Sequence, residues 1–88
     1  MKFPELLGNQ FALLMANIQT GHVLKKDHSL FLANSDTEAI FEVFDAFDRA
    51  KNFAQKKISE YPQIECVIYD HANKALYYCS KDKQISLG

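Results

Sequence analysis

The chain lacks a surplus of either charge. Ten Lys and Arg stand against eleven Asp and Glu, giving a net charge of −1 and a pI near 6.3. A protein that grips phosphates presents a basic patch or stripe. Here the lysines fall in separated pairs (Lys25-Lys26, Lys56-Lys57, Lys81 and Lys83), each beside acids. The expectation is no nucleic acid and no anionic membrane surface as partner. Long apolar runs are missing too, since nothing approaches the ~20 residues of a spanning helix. The opening Met1-Lys2-Phe3-Pro4-Glu5-Leu6-Leu7 starts like a secretory leader and is then interrupted by Pro4 and Glu5. The apolar run Phe11 to Ala16 is too short to serve as a leader core, so a cytoplasmic protein is expected. Two cysteines are too few for a disulfide framework in such a protein and read as reduced, buried thiols. Three Gly and two Pro leave little chain for long loops.

What is present is a core. The sequence is 48% hydrophobic, with seven Phe and four Tyr, which suits a packed globule and not a disordered chain. Its 88 residues make one domain, 1–88, with 1–9 as an arm and 81–88 as a polar tail, both loosely ordered. A chain of this size buries only somewhat more than about 60% of its unfolded surface.

The rest is organised around Val43 to Ile58, which reads as a strand end running into an amphipathic helix of about 46–60. Asp45 stands where an N-cap belongs, Asp48 follows at capping-box spacing, and Phe44 and Arg49 occupy the staple positions. Phe47, Ala50, Ala54, Ile58 and Tyr61 recur at three- and four-residue steps on one face. Asp48, Lys51, Asn52, Gln55, Lys56 and Ser59 fall on the other. Pro62 ends the helix.

Strands are expected on both sides of this helix. Gln10 to Gln19 is apolar on both faces, as a central strand would be. Thr20 to His28 is polar and turn-like. Ser29 to Ala33 reads as a second strand and Asn34-Ser35-Asp36 as a turn. Thr37 to Phe44 reads as a third strand, with a helical start capped by Ser35 as the competing reading. Ile64 to Asp70 and Ala75 to Ser80 form a hairpin around His71-Ala72-Asn73-Lys74. That register sets Ile68 opposite Tyr77 and Cys66 opposite Cys79. The fold class is α+β: a mainly antiparallel sheet in chain order βββαββ with the one helix packed on one face.

Chemistry-bearing groups do not converge in the sequence. A zinc site needs three or four ligands, usually with a local pair, and Cys66 and Cys79 have none beside them. His22, Asp27 and His28 share a loop, and Asp70-His71 sits on a turn, where Asp beside His can orient an imidazole for general-base work. No nucleophile elbow and no Gly-rich phosphate loop accompanies them. Local turn bonding explains these residues without chemistry. The reading is therefore no catalytic residues, no metal and no cofactor.

The faces carry more information than the polar groups. Leu14, Leu30, Leu32, Phe41, Val43, Cys66, Ile68 and Tyr77 are assigned to the helix side. Phe11, Leu13, Met15, Phe31, Ile40, Val67, Tyr69 and Tyr78 are assigned to the opposite face. That second set is too apolar to leave in water. It is read as the interface of a non-catalytic protein-interaction domain, homodimeric or bound to a partner protein. A toxin that the domain neutralises is one such partner. The acids Asp36, Glu38, Glu42, Asp45 and Asp48 would form an acidic edge. The rival cover is the N-terminal arm, through Phe3, Leu6 and Leu7. The rival function is a small metal- or ligand-binding enzyme using His22, His28, Asp70 and His71.

Overall fold

The computed structural model describes residues 4–29 and 40–87. The described residues form six strands and one helix: β1 (Phe11–Asn17), β2 (Val23–Leu24), β3 (Phe41–Phe44), α1 (Phe47–Glu60), β4 (Ile64–Tyr69), β5 (Ala75–Cys79) and β6 (Gln84–Ser86). This is an α+β domain, one helix on an antiparallel sheet. Of the strand expected over Ser29 to Ala33, Ser29 is not in a strand, and Leu30, Phe31, Leu32 and Ala33 lie outside the described residues. So do the following turn 34–36, residues 37–39 of the third expected strand, and Phe3 of the arm.

The sheet runs β2-β1-β4-β5-β6, and β3 shares the β2 side of β1. β3 pairs with the first half of β1 (Phe11↔Phe44, Leu14↔Phe41) and β2 with its second half (Met15↔Leu24). Two short strands thus complete one edge, and β1 is hydrogen-bonded on both sides, which suits its apolar run. The strand reading of 41–44 holds, and the helical alternative does not. β2 falls within the stretch read as turn. It is two residues long and carries no periodicity to announce it.

The helix begins at Phe47, but Asp45 does not cap it. Ala46 is the N-cap, with extended backbone and no side-chain cap bond. Asp45 instead accepts from Arg49 Nη1 at 3.2 Å, an exposed i,i+4 pair. Phe44 packs on Phe53, with ring centroids 5.2 Å apart, so the staple with Arg49 does not form either. Ala50, Ala54 and Ile58 are buried as the stripe requires. The small Ala50 and Ala54 let the helix backbone approach the sheet closely. At the far end the Tyr61 N–H reaches Lys57 O, and Pro62 follows.

The β4–β5 hairpin forms in the expected register, Cys66↔Cys79 and Ile68↔Tyr77, with a bulge between Ile68 and Tyr69. Asp70 makes the turn. Its Oδ1 accepts the backbone N–H of Ala72 and of Lys74, each at 2.9 Å, and Asn73 takes a positive φ of 63°. Asn tolerates that left-handed conformation better than most residues do.

The phase of β1 corrects the face assignment. Leu13 lies opposite Ile68 and Met15 opposite Cys66, so these two pack with Ala50, Ala54 and Ile58 beneath the helix, and Phe11 packs against the same cluster. Phe11, Leu13 and Met15 are core residues on the helix side, not members of the opposite face. Conversely, Leu14 and Phe41 belong to the opposite face, clustered with Ala12 and Ile40. Val43, directly opposite Ala12, shares that face and is 44% exposed. The physical reason is that β1 is apolar on both faces, so its own period cannot say which face meets the helix. Pairing with β4 decides it, and a one-residue slip inverts every side chain.

Candidate interaction surface

Beneath the helix the sheet is closed. Leu13, Ile64, Cys66, Ile68 and Cys79 are fully buried. Aromatic rings seal the margin, with Phe47 edge-on to Phe11 at 5.9 Å and to Tyr77 at 6.1 Å. A polar latch closes the β6 side: Gln55 Nε2 donates to Gln84 Oε1 at 3.1 Å, and Tyr77 Oη donates to the same oxygen at 3.0 Å.

The face away from the helix divides in two. At the β1–β3 end, Ala12, Leu14, Ile40 and Phe41 are buried, and Leu6 and Tyr69 pack against them. Leu6 belongs to the N-terminal arm, so the arm covers this end in part. Leu7 does not join it and stands 68% exposed. Ile40 and Tyr69, both assigned to an open face from the sequence, lie in this covered end. At the β4–β5–β6 end no such cluster forms among the described residues. Val67 and Tyr78 are directly opposed and half-buried, and Tyr78 lies opposite Ile85 on β6. Ile85 is 42% exposed and Leu87, whose N–H bonds Leu76 O, is 48% exposed.

One polar pair anchors this end. Tyr78 Oη donates to Glu65 Oε2 at 2.9 Å. Burial, reinforced by that carboxylate, holds the Tyr78 phenol above its ordinary range, so it stays protonated and keeps donating. The bond tethers the Tyr78 side chain on the sheet's outer face, where the register sets Tyr78 between Val67 and Ile85.

β6 lies in the stretch read as a tail and supplies half of this surface. Gln84-Ile85-Ser86 carries a single apolar residue, too little for a periodic signal. Its pairing with β5 gives Ile85 a face.

The loop histidines do not assemble a site. His22 and His71 are exposed. Asp27 is occupied by Ser29, accepting its N–H at 3.0 Å and its hydroxyl at 2.6 Å, bonds that hold the carboxyl below its ordinary pKa. Asp70 is held below its own by the Lys74 and Ala72 N–H groups. His28 adopts a positive φ of 73°, costly for a residue with a Cβ. It is held edge-on to Tyr61 at 4.4 Å, and its Nε2 accepts from Lys57 Nζ at 3.2 Å. The Lys57 ammonium can only donate, so this contact uses a lone pair on His28 Nε2. The same ammonium lies over the Phe53 and Tyr61 rings at 5.2 and 5.4 Å. This cluster pins the 25–29 loop to the helix end and presents no acid, base and nucleophile in sequence. Among the described residues no group of three His, Cys, Asp or Glu could hold a metal ion, and no helix is long and apolar enough to cross a membrane. Of the acidic edge, Asp45 and Asp48 are exposed at the helix start and Glu42 is half-buried on β3. Asp36 and Glu38 lie outside the described residues.

Comparison with protein-family models, with curated proteins and with solved structures finds no match for this chain.

Proposed function

We propose that this chain is a non-catalytic, cytoplasmic protein-interaction domain, and that it pairs with a second copy of itself through the β4–β5–β6 end of the sheet face away from the helix. The observation that carries this reading is the row Val67, Tyr78 and Ile85, continued by Leu87 and lacking, among the described residues, the cover that Leu6 and Ile40 give the other end. Such a row matches the composition of an interface core in its aromatic and aliphatic side chains, and the Glu65 carboxylate beside it is engaged by the Tyr78 hydroxyl. A net charge of −1 imposes almost no repulsion between two copies and supplies no field to steer a strongly charged partner. Two-fold pairing is also the commonest closed arrangement of soluble proteins. The exposed Asp45 and Asp48 lie at the helix start, so they contribute to a rim and not to the buried centre. The two free thiols suit a reducing compartment.

Light scattering on the purified chain at micromolar concentration tests the reading. The expected mass is twice the 10.1 kDa of one chain. Ile85→Asp should return it to one, because a carboxylate would have to be buried at the centre of the contact. A soluble monomer with an intact fold would overturn self-association, leaving a different protein as the occupant of this face.

A further inference from the structure

Cys66 and Cys79 lie directly opposite one another on β4 and β5, both fully buried on the helix side. We propose that this pair is a reversible oxidation site, in which a peroxide converts the two thiols to a disulfide linking the strands. The inference is independent of the interaction surface, which lies on the other face.

Backbone alternation defines the geometry. Ser80 exchanges both of its backbone bonds with Lys83, and Leu76 O accepts from Leu87 N–H, so these two residues turn their amide groups toward β6. The N–H and C=O of Cys79 therefore turn the other way, toward β4, and Cys66↔Cys79 is a hydrogen-bonded pair. Opposed Cβ atoms in such pairs sit near the long end of about 4.5–5.5 Å, whereas a disulfide holds its Cβ atoms at about 3.5–4.5 Å. Closing the bond draws the side chains together by something on the order of 1 Å, within reach of the sheet's own flexibility but not free of strain. A strained disulfide is the reducible kind. The pair is thus placed to close under an oxidant and reopen under a thiol.

The two sulfurs are not equivalent. The neighbouring Cys79 together with burial pushes the Cys66 thiol up, whereas the neighbouring Cys66 draws the Cys79 thiol down, so Cys79 is the one that ionises first. The chemistry balances in two steps. The Cys79 thiolate attacks hydrogen peroxide, takes one oxygen as a sulfenic acid and releases hydroxide. The Cys66 thiol then attacks that sulfur, water leaves, and the disulfide remains. Overall two thiols are oxidised and one peroxide is reduced to two waters.

Access runs through β6. Gln84 is the register partner of Cys79 and is tied across the helix margin by Gln55 and Tyr77. β6 itself is three residues long and exposed along its whole length. A short exposed edge strand opens at low free energy compared with the core. When it lifts, Gln84 leaves the side of Cys79 and a molecule as small as peroxide can enter.

The test treats the reduced full-length chain with hydrogen peroxide, then denatures it in excess iodoacetamide and weighs it. The expected product has lost two hydrogens, about 2 Da, takes up no alkyl group, remains a single chain and regains two alkylatable thiols after reduced glutathione. Cys66→Ser should abolish that mass loss and leave Cys79 carrying added oxygen. Gln84→Ala should speed disulfide formation several-fold, whereas an unchanged rate would overturn the β6 route. Two alkylatable thiols surviving in the treated wild-type chain, or oxygen added without loss of hydrogen, would overturn the proposal. A disulfide joining two chains would overturn it equally. The wild-type measurement needs no variant to fold.

Discussion

The two faces of this sheet carry similar residues and meet different fates. On the helix side, Leu13, Met15, Cys66, Ile68 and Tyr77 are closed over by a single helix whose Ala50 and Ala54 permit close approach. On the other side, Leu14, Val67, Tyr78 and Ile85 have no second helix among the described residues to meet. Among the described residues only the β1–β3 end gathers a cover, from Leu6 and Ile40. The difference teaches that apolar content does not by itself distinguish core from surface. The topology decides, because one amphipathic element closes one face and leaves the remainder to loops, arm or another molecule.

The sharpest way to break that comparison is to truncate one residue on each face. Leu13→Ala should cost about 2–5 kcal/mol, the range for emptying a fully buried leucine site. Val43→Ala, on the outer face and 44% exposed, should stay within about 0.5 kcal/mol. Urea melts of both variants measure the difference, and equal costs would place β1 in the other phase.

A smaller effect sharpens the helix side. Ala54→Leu should destabilise by about 1–3 kcal/mol by overfilling the helix–sheet contact. Lys56→Leu, on the exposed face, should remain within about 0.5 kcal/mol in the same melt. Gln55, which the periodicity alone groups with the solvated positions, belongs to neither class because it holds the latch to Gln84.

The smallest expected effect lies in the hairpin turn. Two backbone N–H groups hold the Asp70 carboxyl below its ordinary pKa. A depressed acid contributes stability that is full above its unfolded pKa and lost as pH falls through the folded one. The stability gap between the unaltered chain and Asp70→Ala should therefore be widest at neutral pH. It should narrow in acid below the usual carboxylate range near about 3.9. A gap independent of pH would show that the charge has no part in the turn.

How much of this could be read from the residues follows the same division. The β4–β5 hairpin was legible to its register at Cys66↔Cys79 and Ile68↔Tyr77, because the polar turn Asp70 to Lys74 lies between two apolar runs and fixes how they meet. The helix was legible because its stripe has a period. Its start was legible to within a residue but its cap was misjudged, since Asp45 has a competing use in Arg49 four residues on. The phase of β1 was not legible. Phe-Ala-Leu-Leu-Met-Ala is apolar at every step, and only the partner strand breaks the tie. β2 and β6 are too short to generate a period of their own. Of the eight residues assigned to an interface, Val67 and Tyr78 lie at the uncovered end of the outer face. Ile40 and Tyr69 lie at its covered end, Phe11, Leu13 and Met15 lie under the helix, and Phe31 is outside the described residues. Ile85 and Leu87 were missed because they alternate with polar residues behind Lys81-Asp82-Lys83, in a stretch too short to show a period.

The most direct measurement of what the uncovered end does is the solution mass of the chain beside that of Ile85→Asp, with circular dichroism confirming both are folded. The expected result is a dimer for the unaltered chain and a folded monomer for the variant. A folded monomer in both cases, unchanged as concentration rises, would contradict the account.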